Sequence, residues 1–424
     1  MTPERSTAEV LADLEGLRRS DIDWRSGRAF SLAYLASSEA LDLAESAYRA
    51  YAGENALNVE AFPSLRRMQA DVVSFVGRLL QAPDPTAGFF TSGGTESLLT
   101  VSYAARQRRP DIRRPNIVLP TSAHAAFEKA ASYFGLENRR VAVRDDWRAN
   151  VAAMADAIDD DTVLLVGSAP QYPQGVVDPI VELGQLAIDR GVPLHVDSCI
   201  GGMVLPFIDH PSAWDFSVAG VSSISVDMHK YGYSAKGAGV ILYRTKDLRN
   251  AQVFVTDNWL GGLYGSSGIL GTKSGGPIAS AWAMISHFGI DGYRSLSRRA
   301  RATTLALVEA INATPPLFVM TKPDSTLICI GSRDEKFDVH SVADALRRRG
   351  WYVDRQGPPA SLHMTVSAGH DTVIDSFAVG QELRPSGRSL RSPSNCESWS
   401  PNARTNSTRH RAFRFTARSN ETVD

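Results

Sequence analysis

Cysteine is scarce: Cys199, Cys329 and Cys396 are all the chain has. They lie too far apart for a disulfide framework or a zinc site, and such usage fits a reducing compartment, the cytoplasm. Net charge is nearly absent as well, −1 at pH 7, which argues against a broadly basic nucleic-acid surface. No apolar run is long enough to span a bilayer. Residues 1–20 alternate charge with short apolar pieces, unlike a secretory leader. His287, His340, His363 and His370 lack metal-ligand spacing and read as structural or surface residues, so no metal is expected. Lysine disappears beyond residue 380, where Arg and Ser concentrate without apolar periodicity. What remains is the composition of an ordinary globular protein, with ample length for two or three domains and a core.

The chemistry concentrates in SISVDMHKYGYSAKGAGVILY, which ends at Tyr243. Two β-branched strand patterns flank a loop carrying His229, Lys230 and Lys236. A lysine at the end of an apolar strand can be buried, which lowers its pKa and frees the amine to condense with an aldehyde. A lone lysine is ordinarily a surface residue, but the upstream stretch GVPLHVDSCIGG places Asp197 at the end of another strand pattern. Such an acid can pair with a protonated ring nitrogen, and a reactive lysine with that acid is the signature of pyridoxal phosphate.

GFFTSGGTESLLTVSYAARQ reads as a short aromatic strand, a glycine turn and a helix. Gly93 and Gly94 let the backbone approach an anion, Thr95 can cap the helix and donate a hydroxyl, and the helix N-terminus supplies N–H groups. The motif is a phosphate cradle or a plain cap. His124, in the first turn of AHAAFEKAASYFG, is a cap, a surface residue or an imidazole stacked on a cofactor ring.

Strand patterns (NIVLP, RRVAVRDD, TVLLVGSAP, PLHVDS) alternate with helical ones. This predicts an α/β fold with a doubly wound, mostly parallel sheet and ligands at the carboxyl ends of its strands. Gly94, His124, Ala169, Asp197 and Lys230 all follow such strands. Residues 1–55 read as a helical arm, with one apolar pattern from Thr7 to Ala52. Residues 56–290 form the large domain, whose first helix carries Pro63 in its first turn. The polar loop Asn55–Asn58 reads as a connector. Residues 291–380 make a smaller α+β domain, and 381–424 a tail that is disordered or a shifted reading frame replacing a final helix.

In this order, SGGTES, HAAFEKA, GSAPQYPQGVVDPI, LHVDSCIGG and DMHKYGYSAKG resemble the sphingosine 1-phosphate lyases. These are a branch of the pyridoxal phosphate-dependent decarboxylase family with the aspartate aminotransferase (type I) fold. The likeness runs from about residue 55 to about residue 378. It implies that Lys230 carries the cofactor covalently, Asp197 holds its ring nitrogen, His124 stacks on the ring, and Gly94, Thr95 and His229 bind its phosphate. It implies a homodimer with a shared site, in which the loop Gly261–Gly276, with Thr272, reaches the neighbour's phosphate. Tyr172 and Lys236 match positions facing the reacting carbons, to handle a hydroxyl proton or bind the substrate phosphate. The implied reaction is retro-aldol cleavage of a phosphorylated sphingoid base to a long-chain aldehyde and ethanolamine phosphate. Gln171 and Met228 depart from the Asn and Thr frequent in these lyases. An amino-acid decarboxylase of the same family would use the same cofactor residues, and the tail leaves open a non-catalytic or damaged protein of this fold.

Overall fold

Short apolar and β-branched runs, each closed by a polar or glycine-rich turn, form a seven-stranded sheet in the computed structural model. It describes residues 4–374 except 211, together with Phe377; the expected tail, 381–424, lies outside the described residues. The strands are β1 (Ala87–Thr91), β2 (Asn116–Pro120), β3 (Glu137–Val141), β4 (Thr162–Ser168), β5 (Leu194–Asp197), β6 (Val221–Val226) and β7 (Gly239–Tyr243), in the order β1-β7-β6-β5-β4-β2-β3. β2 to β6 are parallel; β7 runs against both β6 and β1, so β1 points the same way as the other five. β2, β4, β5 and β7 are buried throughout, as strands covered on both faces must be. Alternate residues feed opposite cores. Val118 and Leu165 join the core that holds Met154, Ile180 and Leu183, whereas Ile117, Leu119 and Leu164 join the core that holds Leu98, Val101 and Phe127.

An exposed hairpin, β8 (Phe254–Thr256) and β9 (Tyr264–Ser266), precedes a helical span from Gly276 to Asn312 that kinks at Gly289, whose φ of 54° suits a residue without Cβ. Beyond it lies a smaller antiparallel sheet of β10 (Leu317–Val319), β11 (Leu327–Ser332), β12 (Asp354–Gln356) and β13 (Ser361–Thr365), in the order β10-β11-β13-β12. Among the described residues no helix is long and apolar enough to cross a membrane.

The helical pattern expected from Thr7 to Ala52 is interrupted. Helices span Thr7–Leu17 and Ser38–Ala50 only. Between them Asp23 caps a single turn that ends at Gly27, φ 76°, and Ser37 accepts from the Ala40 N–H to start the second helix. Turn chemistry overrides the alanine and leucine spacing there. The intervening segment docks on the small sheet instead: Ala29 bridges Tyr352, the Phe30 N–H donates to Tyr352 O (2.9 Å), and the Thr365 N–H donates to Phe30 O (2.5 Å). Phe30 is fully buried among Leu317, Ile328 and Trp351, a burial worth roughly 1.5–3 kcal/mol.

Candidate active site

The register of β5 on β6 sets the floor of the site, because it places His195 opposite Ser223 and Asp197 opposite Ser225. His195 Nδ1 lies 2.9 Å from Ser223 Oγ and Nε2 3.2 Å from Ser225 Oγ; Ser225 in turn donates to Asp197 Oδ1 at 3.4 Å. Burial holds His195 near pKa 4, so it is neutral. The tautomer with its proton on Nε2 satisfies the whole chain from Ser223 to Asp197. Burial would raise the Asp197 carboxyl, but His124, the Cys199 side chain and Lys230 together hold it below the ordinary carboxylate range, and the Cys199 N–H donates to its Oδ1 at 3.1 Å. Asp197 is therefore a buried carboxylate that stays charged.

Where β6 ends, the chain turns through Asp227 to Lys230. The Lys230 ammonium stands 2.9 Å from Asp227 Oδ2. The lowered pKa expected for this lysine is not what the structure shows. Burial, the largest single influence, pushes it down, but Asp227, Tyr34 and Cys199 together outweigh burial, and the amine lies well above its ordinary value. Asp227 is itself buried, and among the described residues its Oδ1 has no hydrogen-bond partner. Lys230 is thus held as an ammonium, and an ammonium cannot attack an aldehyde until it loses its proton. The loop is anchored by Tyr231, whose hydroxyl donates to Val366 O (2.9 Å), and by the Ala238 N–H, which donates to His229 Nδ1 (3.2 Å). Burial also lowers the pKa of His229, despite Asp227.

The glycine turn after β1 lies against these groups. A Cβ at Gly93, whose φ is 131°, would fall 2.5 Å from His229 Cε1, and one at Gly94 would fall 2.8 Å from Cys199 Sγ and 3.0 Å from Asp227 Oδ2. Only glycine fits here. Thr95 does not cap the helix as expected; Gly93 occupies that position with no side-chain cap, and Thr95 sits in the first turn. The helix therefore offers its first N–H groups to the cavity. Glu96 also lines the cavity, and its carboxylate is engaged by the backbone: Oε2 accepts from the Ser92 N–H (2.6 Å), and Oε1 from the N–H groups of Ile269 (2.9 Å) and Leu270 (3.3 Å). One carboxylate thus ties the turn to the loop Gly261–Gly276.

These residues line a cavity of 570 Å³ at the carboxyl edge of the sheet, with His124, Asp197, His229, Lys230 and Lys236 around it. His124 stands one residue before the helix N-cap, Ala125, and faces the cavity: its Nδ1 accepts from the Ala126 N–H (3.1 Å) while the exposed ring borders the cavity. At the mouth, the Lys236 ammonium sits 4.9 Å above the Tyr34 ring and donates to His229 O (3.3 Å). Although its side chain reaches solvent, partial desolvation by the cavity walls and the neighbouring Lys230 bring its pKa down to about 8, and Asp227 opposes them. The lowered lysine is Lys236 rather than Lys230. Tyr172 stacks on His363 at 3.9 Å, and its hydroxyl donates to Asp354 at 3.0 Å. Tyr34, half-buried, is pushed up to about pKa 12 by desolvation.

Thr272 stands outside this cavity, exposed, with Asn55 Nδ2 donating to its Oγ1 at 3.5 Å. The Asn55–Asn58 loop is a connector whose asparagines accept from the N–H groups of Leu57, Glu60 and Ala61. The sequence reading singled out neither Asp227, three residues before Lys230, nor His195, Ser225 and Glu96. Each of these lay inside a motif already quoted, and alternation along β5 and β6 would have paired the serines with His195 and Asp197. Asp354 carried no such signal.

A lysine at the cavity wall, a buried charged carboxylate and an uncapped helix N-terminus behind two obligatory glycines fit an aromatic aldehyde bearing a ring nitrogen and a phosphate, and that group is pyridoxal phosphate. A model of the pyridoxal-dependent decarboxylase conserved domain matches residues 8–332. The chain is 38% identical to rat sphingosine-1-phosphate lyase 1 over 372 residues, 86% of this chain, and spans 65% of that relative's length, just under two thirds. To the rice sphingosine-1-phosphate lyase it is 36% identical, covering 87% of this chain and 71% of that one. Among solved structures, the sphingosine-1-phosphate lyase of Burkholderia pseudomallei superposes with a TM-score of 0.84 at 35% identity, over 90% of this chain and 91% of that one. Glutamate decarboxylase of Lactobacillus brevis shares the fold, with a TM-score of 0.78 at 22% identity over 91% and 95% of the two chains. The chain belongs to the pyridoxal-dependent decarboxylase family.

Proposed function

We propose that the protein is a carbon–carbon lyase that cleaves a phosphorylated sphingoid base to a long-chain aldehyde and ethanolamine phosphate. The observation that carries this reading is the second amine at the mouth. With a pKa near 8, Lys236 is mostly protonated at neutral pH and gives an anionic substrate group a cation beyond the one reserved for the cofactor. Relatives named as lyases, at 34–38% identity, support it. When bound, pyridoxal phosphate supplies a conjugated ring that takes up the electron pair of the bond being broken.

The chain's own groups divide the rest of the work. Lys230 would hold the cofactor through its amine and would give it up to the substrate amine. Asp197, kept charged by its partners, holds a proton at the ring nitrogen, an electrostatic effect in a water-poor site. His124 covers one face of the ring, and Gly94, Thr95 and His229 hold the phosphate. Tyr172 or Lys236 manages the substrate's hydroxyl proton or its phosphate.

A homodimer completes the site in this reading, with Thr272 serving the neighbour. The exposed Phe254, Val255, Trp259, Leu260 and Leu263 around the β8–β9 hairpin support it, since an apolar patch of that kind usually marks an interface. The free, buried thiols of Cys199 and Cys329 fit the cytoplasm.

The test is to incubate the purified protein with pyridoxal phosphate and a phosphorylated sphingoid base and to assay aldehyde. Aldehyde release is expected. A cofactor-loaded protein that releases carbon dioxide from an amino acid and no aldehyde is a decarboxylase, and one that takes up no cofactor is non-catalytic.

A further inference from the structure

Tyr172 and Lys236 both face the cavity mouth, and they differ in what they can accept. The Lys236 ammonium donates to His229 O and stands over the Tyr34 ring. It is a donor and a cation, suited to an anion. The single hydrogen of the Tyr172 hydroxyl points away from the cavity, to Asp354 Oδ2 at 3.0 Å. Ser31 donates to the same Asp354 oxygen in a short hydrogen bond, so its own hydrogen is spent as well, and at 3.4 Å it borders the Tyr172 oxygen without supplying one. Tyr172 thus presents lone pairs to the cavity and meets a substrate hydroxyl as an acceptor. His363, buried and held near pKa 4 by that burial, stacks flat on the Tyr172 ring and fixes its plane. Asp354 does not line the cavity; it lies behind Tyr172 and Ser31 on β12, half-buried.

We propose that Tyr172 is the catalytic residue that takes the substrate's hydroxyl proton, and that Asp354, with Ser31, is the positioning residue that turns the phenol into an acceptor and receives the proton it gives up. This rests on the lyase reading of the site. The substrate O–H bond breaks and its proton joins the Tyr172 oxygen, while the O–H bond of Tyr172 breaks and that proton joins Asp354. The pair left on the substrate oxygen becomes the second bond of the aldehyde carbonyl. The departing carbon keeps the pair of the carbon–carbon bond and takes a proton from solvent, and Asp354 returns one to solvent. No oxidant or reductant is needed. A chain segment near residue 31, a loop after β4 and an edge strand of the second sheet thereby meet on one oxygen, and Lys236 is left to bind the phosphate.

The test compares Tyr172→Phe, Asp354→Asn, their double variant and Asp354→Glu as holoenzymes. The readouts are cofactor absorbance and the kcat and KM for aldehyde release from a phosphorylated sphingoid base. Each of the first two is expected to lower kcat by about 100-fold or more, the usual weight of proton transfer, with KM and absorbance unchanged. The double variant falls no further than either single one, and Asp354→Glu recovers part of the loss because it restores a carboxylate. With ¹³C-labelled tyrosine and no substrate, the ring resonance that Tyr172→Phe removes is expected to move in Asp354→Asn. Wild-type kcat in Asp354→Asn, additive losses in the double variant, or an unmoved resonance overturns the proposal while leaving the lyase reading in place. A wild-type holoenzyme that releases no aldehyde overturns both.

Discussion

Asp197, Lys230 and the Gly93–Gly94 turn stand at the carboxyl ends of strands in one sheet, whereas Ser31, Tyr172 and Asp354 come from an N-terminal segment, a loop and the edge of a second sheet. The first group is fixed by strand ladders and cross-strand pairs such as Asp197 opposite Ser225. The second depends on how well separate pieces dock, above all on Phe30 in the small-sheet core. On the function proposed above, holding the cofactor and choosing the reaction fall to regions with different mechanical support. Damage to the mouth should leave the floor working, and damage to the floor should silence both.

The largest effect is expected at the floor. Lys230→Ala should remove the absorbance of lysine-bound cofactor and bring turnover to the limit of detection, read by spectrum and aldehyde assay; retained turnover would mean that another amine carries the chemistry. Phe30→Ala should cost about 3–5 kcal/mol by urea unfolding, the scale for a buried phenylalanine. It should also cut turnover by about 100-fold through misplacement of Ser31, with cofactor absorbance preserved. If absorbance and turnover fell together, the two regions would not be separable.

Lys236→Ala should leave the cofactor spectrum intact and raise the KM for the phosphorylated substrate by about tenfold, the scale of one charge-assisted contact. Since the Lys236 pKa is about 8, it loses its charge as pH rises through that value. The wild-type KM should therefore climb above pH 8 and that of the variant should not. The smallest effect is expected from Glu96→Gln, in which an amide N–H must face one of the backbone N–H groups of Ser92, Ile269 or Leu270. A penalty of about 1–3 kcal/mol should appear as weaker cofactor retention on dialysis, with kcat of the loaded enzyme unchanged. Unaltered retention would show that the loop does not steady the cradle.

The floor was legible in the chain because its residues sit just after strands and each lies within a contiguous motif, so periodicity alone brought Gly94, His124, Asp197 and Lys230 to one sheet edge. The charge state of Lys230 was misread from the same stretch, since burial was counted and the carboxylate three residues earlier was not. The helix expected across residues 18–37 failed because Asp23, Gly27 and Ser37 impose local turn and cap geometry on a segment whose apolar spacing suits a helix. The Ser31–Asp354 contact joins groups more than 300 residues apart through the docking of Phe30, and no local pattern encodes that distance.

The most direct measurement is to reduce the cofactor-loaded protein with borohydride, digest it and map the labelled lysine by mass. The label is predicted on Lys230, whose ammonium Asp227 stores at the floor. A label on Lys236, the amine with the lower pKa, would contradict the assignment of floor and mouth.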